Sequence, residues 1–343
     1  MAEPLVAELR DELDRSLRAV LGDARRVALV NFPNHGNAGD PAIWLGARAS
    51  LRRLGVRVGY QSSWRTFDAG ALQRAVPDGP VLLNGGGNLG DLYPGGQQGL
   101  RERLLAELVG RPIVQLPQSI HFEQPAGLSR FAGLLEGHGV VTLMVREEVS
   151  RGIAGRAFPT TRCVLAPDLA FGLGPWWRSG PPVHDVVWLL RADKEVVSRG
   201  PAPVGPQDRV VDWLDATTMP ENRTSSGTRW LNRVLSDRVG RGGRTPAAAW
   251  RPLAATFTPM ARGWVDAGMR SLGQGRVVVT DKLHGHLFAL LLGIPHVVLD
   301  NSYGKVRATY DTWTHASPLV HWAGSFDEAR ATADRLLAEA GPR

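Results

Sequence analysis

The sequence predicts an α/β protein made of two doubly wound, Rossmann-like units facing a cleft, and three observations carry that prediction. Between Arg26 and Phe171, apolar runs of strand length alternate with helical patterns, which argues a parallel sheet joined by crossover helices. The segment GLGPWWRSGPPVH (residues 172–184) breaks the alternation with glycine and proline and reads as an interdomain linker. Beyond it, VVVTDKLHGHLFALLLGIPHVVLDNSYGK (residues 277–305) is a buried strand, a polar turn, an apolar helix and a second buried strand. A chain of 343 residues is long enough for two cores. The expected division is residues 1–172, a linker at 173–183 and residues 184–343, with the final helix free to pack back on the first unit.

The elements follow in order. Leu5, Leu9, Leu13, Leu17 and Val20 trace one face of an N-terminal helix, and the acids interleaved with them argue against a signal peptide. RVALVNF is the first strand, followed by the loop PNHGNAGD and a helix from Pro41 to Leu54, with Asp40 placed as its N-cap and Pro41 at the first helical position. VRVGYQS is the next strand. VLLNGGGNLGD gives a strand and a glycine-rich loop before a helix over Gln98 to Val109, and PIVQLPQSIHF, VTLMVRE and RCVLAPDLAF supply further strands, with a helix over Leu128 to Glu136 between the first two. After the linker, DVVWLLR is a strand, Val197 to Gly243 is irregular with a helix at Thr228 to Val239, and GRGGRTPAAAW reads as a lid-like loop. Leu253 to Leu272 and Phe326 to Ala340 are helices.

Composition narrows the function classes. An apolar fraction of 43% and a charged fraction of 21% are those of a globular protein, and no run approaches the roughly 18 apolar residues of a membrane span. The single cysteine, Cys163, cannot form an intrachain disulfide, which points to a reducing compartment and a cytoplasmic location. The net charge of +7 is spread along helices rather than gathered into a basic stripe, so anionic small molecules or an anionic membrane surface account for it as well as nucleic acid does.

Only three of the forty basic residues are lysine (Lys194, Lys282 and Lys305), and two of them bracket the strand–turn–helix unit of the second half. Lys282 and His284 stand where a strand gives way to a helix, and ligands of open α/β sheets settle at such carboxyl edges. A cation and an imidazole there suit an anionic substrate that needs a proton moved. His286 reads as structural. In the first half, Gly36 and Gly39 allow close backbone approach, while His35, Asn37 and Asp40 bring polar groups to the sheet edge. NGGGNLGD is neither a dinucleotide fingerprint nor a P-loop; its glycines leave room for a ligand beside Asn88 and Asp91, or simply make a tight turn. Asp168 reads as structural, and Lys194 and Glu195 as turn residues. The tryptophans between Trp213 and Trp264 serve equally as sugar-stacking platforms or as core.

The order HGNAGD, NGGGNLGD, LPQSI, VRE, LRADKE and TDKLHGHLFALLLGIPHVVLDNSYGK resembles the polysaccharide pyruvyl transferases over residues 27 to 307. The resemblance implies a two-domain fold similar to the GT-B glycosyltransferases, with phosphoenolpyruvate bound between the domains and its pyruvyl group transferred to sugar hydroxyls as a ketal. It implies no metal or other cofactor, a glycan or lipid-linked sugar as partner, and a cytoplasmic location, peripheral at the inner face of the membrane where the acceptor is lipid-linked. By resemblance His284 is the general acid that protonates the methylene carbon, and Asp40 is either a helix cap or the base on the acceptor hydroxyl. Lys282, Arg191 and Lys305 are expected as the phosphoenolpyruvate ligands, with a solvated lysine at 282 and an interdomain salt bridge at Arg191 as the alternatives, and His35, Asn37, Asn88 and Asp91 as the acceptor ligands. The family usually carries Ser-x-Arg-x-His where this chain has Thr280, Lys282 and His284, so a point charge replaces a bidentate fork. Two other classes stay open: a glycosyltransferase of similar shape using a nucleotide sugar, and a non-catalytic glycan-binding assembly subunit.

Overall fold

The computed structural model describes residues 4–93, 95–214, 226–240 and 247–341. It contains two parallel sheets with helices packed around them. The first sheet is built from β1 (Arg26–Val30), β2 (Arg57–Ser62), β3 (Val81–Leu83), β4 (Gly86–Gly90), β5 (Ile113–His121), β6 (Val141–Val145) and β7 (Arg162–Leu165). Its order is β2-β1-β3-β5-β6-β7, with β4 pairing to the far half of β5. The second sheet contains β8 (His184–Leu189), β9 (Arg209–Val211), β10 (Gly275–Thr280), β11 (His296–Val298) and β12 (Val320–Trp322), in the order β12-β11-β10-β8-β9. The strand order of each sheet reverses once, between β1 and β3 in the first and between β8 and β10 in the second. The segments leaving those four strands therefore meet the crevice that open α/β sheets use for ligands.

The helices are α1 (Pro4–Leu21), α2 (Gly39–Arg53), α3 (Ala69–Ala75), α4 (Gln97–Glu107), α5 (Pro125–His138), α6 (Glu148–Ala157), α7 (Ser226–Gly240), α8 (Ala247–Gly273), α9 (Leu283–Leu291), α10 (Lys305–Thr309) and α11 (Phe326–Glu339). No helix among the described residues is long and apolar enough to cross a membrane. The strands bury long apolar runs, as parallel strands covered on both faces must: Val27 to Val30, Val186 to Leu189 and Val277 to Val279 are all at 2% exposure or less.

The structure corrects several expectations. The glycine-rich stretch is not only a loop, because Gly86–Gly90 continues as β4 beside β5. The final helix does not return to the first unit: Ala329, Ala333 and Leu336 of α11 share a core with Val186, Trp188 and Val277. The helix that does cross is α8. Its first half places Leu253, Phe257 and Trp264 in the core of the first sheet, with Phe257 stacked 4.2 Å from Phe32, while Val265, Met269 and Leu272 join Val187, Leu189 and Val278 of the second. Helix α1 bridges the same two cores, with Val6 and Leu9 in one and Leu13 and Leu17 in the other. Of the expected lid GRGGRTPAAAW, residues 241–246 lie outside the described residues, and Ala247 to Trp250 are not loop but the first turn of α8.

Candidate functional site

A cavity of about 770 Å³ lies against the carboxyl ends of both sheets. The loop after β1 brings His35 and Asp40 to it, the stretch after β3 brings Gly87 and Asn88, the loop after β8 brings Arg191 to Glu195, and the turn after β10 brings Lys282 and His284. Arg146 and Lys305 complete its cationic lining.

The second-sheet side rests on Thr280. Its hydroxyl donates to Leu189 O (2.8 Å) and accepts from the backbone N–H of Lys282 (3.0 Å), locking the turn so that Lys282 becomes the N-cap residue of α9 and His284 falls in the first turn. His284 Nε2 stands 3.6 Å from Asp168 Oδ2, within ion-pair range, and has no hydrogen-bond partner among the described residues. Its other nitrogen faces the start of α2, where a Cβ on Gly39 would fall 2.3 Å from His284 Nδ1. Only glycine lets the first-sheet helix approach this imidazole so closely.

Asp168, carried by the first sheet beyond β7, is the buried anchor that faces His284. Its Oδ2 accepts from Arg146 Nη1 (2.7 Å) and its Oδ1 from Ala170 N (2.8 Å). Burial pushes the Asp168 carboxyl up, but His284 and the Arg146 guanidinium outweigh it and hold the group well below the usual carboxylate range. Arg146, itself 1% exposed, also donates from Nε to Ser119 Oγ (2.8 Å). Its Nη2 points past Gly87, where an added Cβ would lie 3.0 Å from Nη2 and 3.6 Å from Lys305 Nζ. Two cations and a side-chain-free backbone thus converge on one spot.

Glu195 holds the remaining cations. It accepts from Arg191 Nη2 (2.6 Å), from Lys305 Nζ, from Tyr93 OH (2.8 Å) and from Asn301 Nδ2 (3.2 Å). Burial pulls the Lys305 ammonium down to about 8 despite the attraction of Glu195. Arg191 is tied in both directions, since Nε and Nη2 also grip Asp193 at 2.9 and 2.8 Å. Lys282 Nζ pairs with Asp212 Oδ1 at 2.5 Å.

On the first-sheet side, Asp40 is not the cap expected of it. Ala38 occupies the N-cap position of α2, Asn37 Oδ1 accepts from Gly39 N (3.1 Å), and Asp40 turns inward to His35 Nε2 at 3.1 Å. Burial raises the Asp40 carboxyl, yet His35, His284 and Lys305 bring it to about 2, while His35, lowered by burial, is raised on balance by Asp40. Asn88 lines the cavity, but its side chain is engaged by Gln97, Arg101 and Gln118. Asp91 is elsewhere: it accepts from Glu123 N (2.7 Å) and Gln124 N (2.8 Å) at the start of α5, a capping role in place of the expected contact with an acceptor. His286 is buried and bonded to His296 and Thr314.

The structure therefore gathers His35, Asn37, Asp40, Asn88, Arg191, Lys282, His284 and Lys305 and leaves out Asp91. It adds Arg146, Asp168 and Glu195, which sequence reasoning passed over. Arg191, Asp193 and Glu195 meet because the chain turns at Asp193, where Val196 N donates to Asp193 O (3.0 Å), folding both acids back onto the guanidinium. Asp168 and Arg146 gave no signal, being 22 residues apart.

Two parallel sheets meeting at a cavity lined by cations, acids and two imidazoles define an α/β protein with its charged groups gathered at the strand ends. The chain belongs to the polysaccharide pyruvyl transferase family, whose model matches residues 37–239 and 263–303. It is similar to Pyruvyl transferase 1 of Schizosaccharomyces pombe, at 33% identity over 306 residues covering 86% of this chain and 71% of that one. It is also similar to EpsO of Bacillus subtilis, at 30% identity over 299 residues covering 87% and 88%. A crystal structure of an uncharacterised Klebsiella pneumoniae protein shares the fold, with a TM-score of 0.57 and 18% identity over 92% of this chain and 99% of that one.

Proposed function

We propose that the protein transfers the pyruvyl group of phosphoenolpyruvate to a sugar of a surface glycan or its precursor, forming a ketal. The observation that carries this reading is the convergence of Arg146, Lys305 and Gly87 beside His284, a trap for a small polyanion with a proton carrier at its edge. Phosphoenolpyruvate carries about three negative charges near neutral pH. Arg146 and Lys305 take its phosphate or carboxylate, with Lys282 and Arg191 strengthening the field. No metal or other cofactor enters. The two sheets act as halves of a GT-B-like arrangement, phosphoenolpyruvate lying between Arg146 and Gly87 of the first and Lys305 and His284 of the second.

His284 protonates the methylene carbon, which leaves an oxocarbenium-like C2. A sugar hydroxyl attacks C2 and gives its proton to His35, the C2–O bond to phosphate breaks with the electron pair leaving on phosphate, and a neighbouring hydroxyl attacks C2 to close the ketal, its proton returning to His284. A carboxylate held at about 2 is a weak proton acceptor near neutral pH, so Asp40 works through His35: the carboxylate orients the imidazole, and the imidazole accepts the proton of the attacking hydroxyl. The reaction takes place in the cytoplasm, with the enzyme peripheral at the membrane where the acceptor is lipid-linked.

Thermal unfolding with phosphoenolpyruvate, UDP and GDP tests the donor. A ligand at about 100 times its Kd adds ~2.7 kcal/mol of stability. A shift with phosphoenolpyruvate alone, followed by phosphate release with a panel of sugars, supports the reading. A shift with a nucleotide alone hands the site to a nucleotide-sugar glycosyltransferase.

A further inference from the structure

Helix α7 (Ser226–Gly240) has one face accounted for and one that is not. Its inner face packs on α8, with Val239 buried and Asn232 Nδ2 donating to Thr256 Oγ1 at 2.7 Å. Its outer face carries Trp230 at 65% exposure and Leu231 at 41%, side by side. Arg229, Arg233 and Arg238 stand exposed around them, and none forms an ion pair among the described residues. Asp237 is the acid among the exposed side chains described on this helix, one turn beyond Arg233.

Each feature has a physical meaning. An exposed indole beside a leucine costs solvation that water does not return, whereas at a bilayer the ring sits between headgroups and acyl chains. Guanidinium groups pair with phosphate oxygens in a bidentate fork, and three with no ion pair among the described residues leave a local positive charge. A helix with a short apolar strip edged by arginine is the pattern of a segment lying in the membrane surface plane. A protein partner fits less well, because one tryptophan and one leucine offer far less than the about 800 Å² per side of a standard interface. The location has a consequence too. Asn34, the residue before cavity-lining His35, donates from Nδ2 to Asn232 Oδ1 at 3.0 Å, so the patch and the cavity are joined through one loop.

We propose that the outer face of α7, through Trp230, Leu231, Arg229 and Arg233, docks the protein on an anionic phospholipid bilayer beside the cavity. Docking there holds the His35 loop close to the headgroups, where a lipid-linked sugar presents its hydroxyls; that second step rests on the pyruvyl transfer reading, and the docking itself does not.

Flotation with vesicles of phosphatidylcholine, with and without phosphatidylglycerol, tests the docking directly. The intact protein is expected on the phosphatidylglycerol vesicles, with binding that weakens as salt rises. Trp230→Ala with Leu231→Ser should lower the vesicle-bound fraction at least ~10-fold, as should Arg229→Glu with Arg233→Glu. Both double variants should keep the thermal midpoint and the phosphate release measured with a water-soluble acceptor. An intact protein that ignores phosphatidylglycerol vesicles overturns the proposal, and so do double variants that bind like the intact chain. Sedimentation as a dimer that Trp230→Ala converts to monomer would assign the face to a second copy instead. Vesicle binding without any turnover of phosphoenolpyruvate leaves the docking in place and removes the pyruvyl transfer reading.

Discussion

Helix α9 presents two histidines two residues apart, and their surroundings divide them. His284 faces the cavity, with a buried carboxylate 3.6 Å away and its Nε2 without a hydrogen-bond partner among the described residues. His286 points into the core, where Nδ1 meets His296 Nε2 at 2.7 Å and Nε2 meets Thr314 Oγ1 at 2.9 Å. His296 Nδ1 in turn donates to Ile294 O at 2.8 Å, which fixes the direction of the whole chain: Thr314 donates to His286, His286 to His296, and His296 to the backbone. Burial keeps this second pair neutral, lowering His286 well below its usual value and His296 to about 4. The lesson is that the partner sets the role. A carboxylate neighbour suits an imidazole that carries charge, whereas an imidazole neighbour suits one that must not.

Removing the carboxylate is the strongest way to break the contrast. Arg146 and Asp168 are both 1% exposed, so Asp168→Ala leaves a buried guanidinium without its ion partner and should cost about 3–5 kcal/mol of unfolding free energy. Denaturant titration reads this, and Asp168→Asn should recover part of the stability while the loss of activity persists. A full-stability Asp168→Ala protein would mean that the pair contributes nothing to holding the cavity wall.

Acid breaks the other side. The unfolded chain protonates histidine near 6.5, whereas His296 in the fold resists until about 4. Its neutral form therefore contributes stability that is complete above pH 6.5 and is lost as pH falls toward 4. The change is up to about 3 kcal/mol across that window. The thermal midpoint measured against pH should fall through this range, and His296→Gln should flatten the curve even though it lowers the midpoint at neutral pH. An unchanged slope in that variant would place the acid sensitivity elsewhere.

Much of this contrast was legible in the sequence, and the physics shows where legibility ended. The turn at Lys282 and His284 announced itself because a long apolar strand and an apolar helix flank it, and His286 read as structural from its place at the start of a core helix. Strands β9 and β12 did not, since three residues carry no period. The inward turn of Asp40 was hidden by a local rule: an acid before proline is an excellent cap, and only His35 across the loop, with burial, outbids that preference. Helix α8 starts at Ala247, ahead of the expected Leu253, and runs through Pro252 and Pro259. That helix also joins both cores, a tertiary fact with no local signature.

The next test separates chemistry from stability. His284→Ala should lower turnover at least ~100-fold while the fold stays intact, because Nε2 has no hydrogen-bond partner among the described residues whose loss would leave a buried group stranded. Measured by phosphate release, near-normal turnover would remove His284 from proton transfer and leave the cavity-facing and core-facing histidines functionally alike.

The smallest effect is expected at Arg191, which the family resemblance put among the phosphoenolpyruvate ligands. Its guanidinium already satisfies Asp193 and Glu195, and its backbone N–H donates to Asp281 Oδ1 at 2.9 Å, so the residue braces a loop more than it waits for a ligand. Arg191→Ala should therefore raise the KM for phosphoenolpyruvate by only about 3- to 10-fold, with a modest change in turnover, as the loss of a charge that acts through its neighbours does. Glu195 then keeps Lys305 as its cationic partner, which is why the cavity should survive the change. A KM rise beyond 100-fold with turnover preserved would show Arg191 releasing its acids to grip the substrate directly, and would move it to the side of His284 in the comparison.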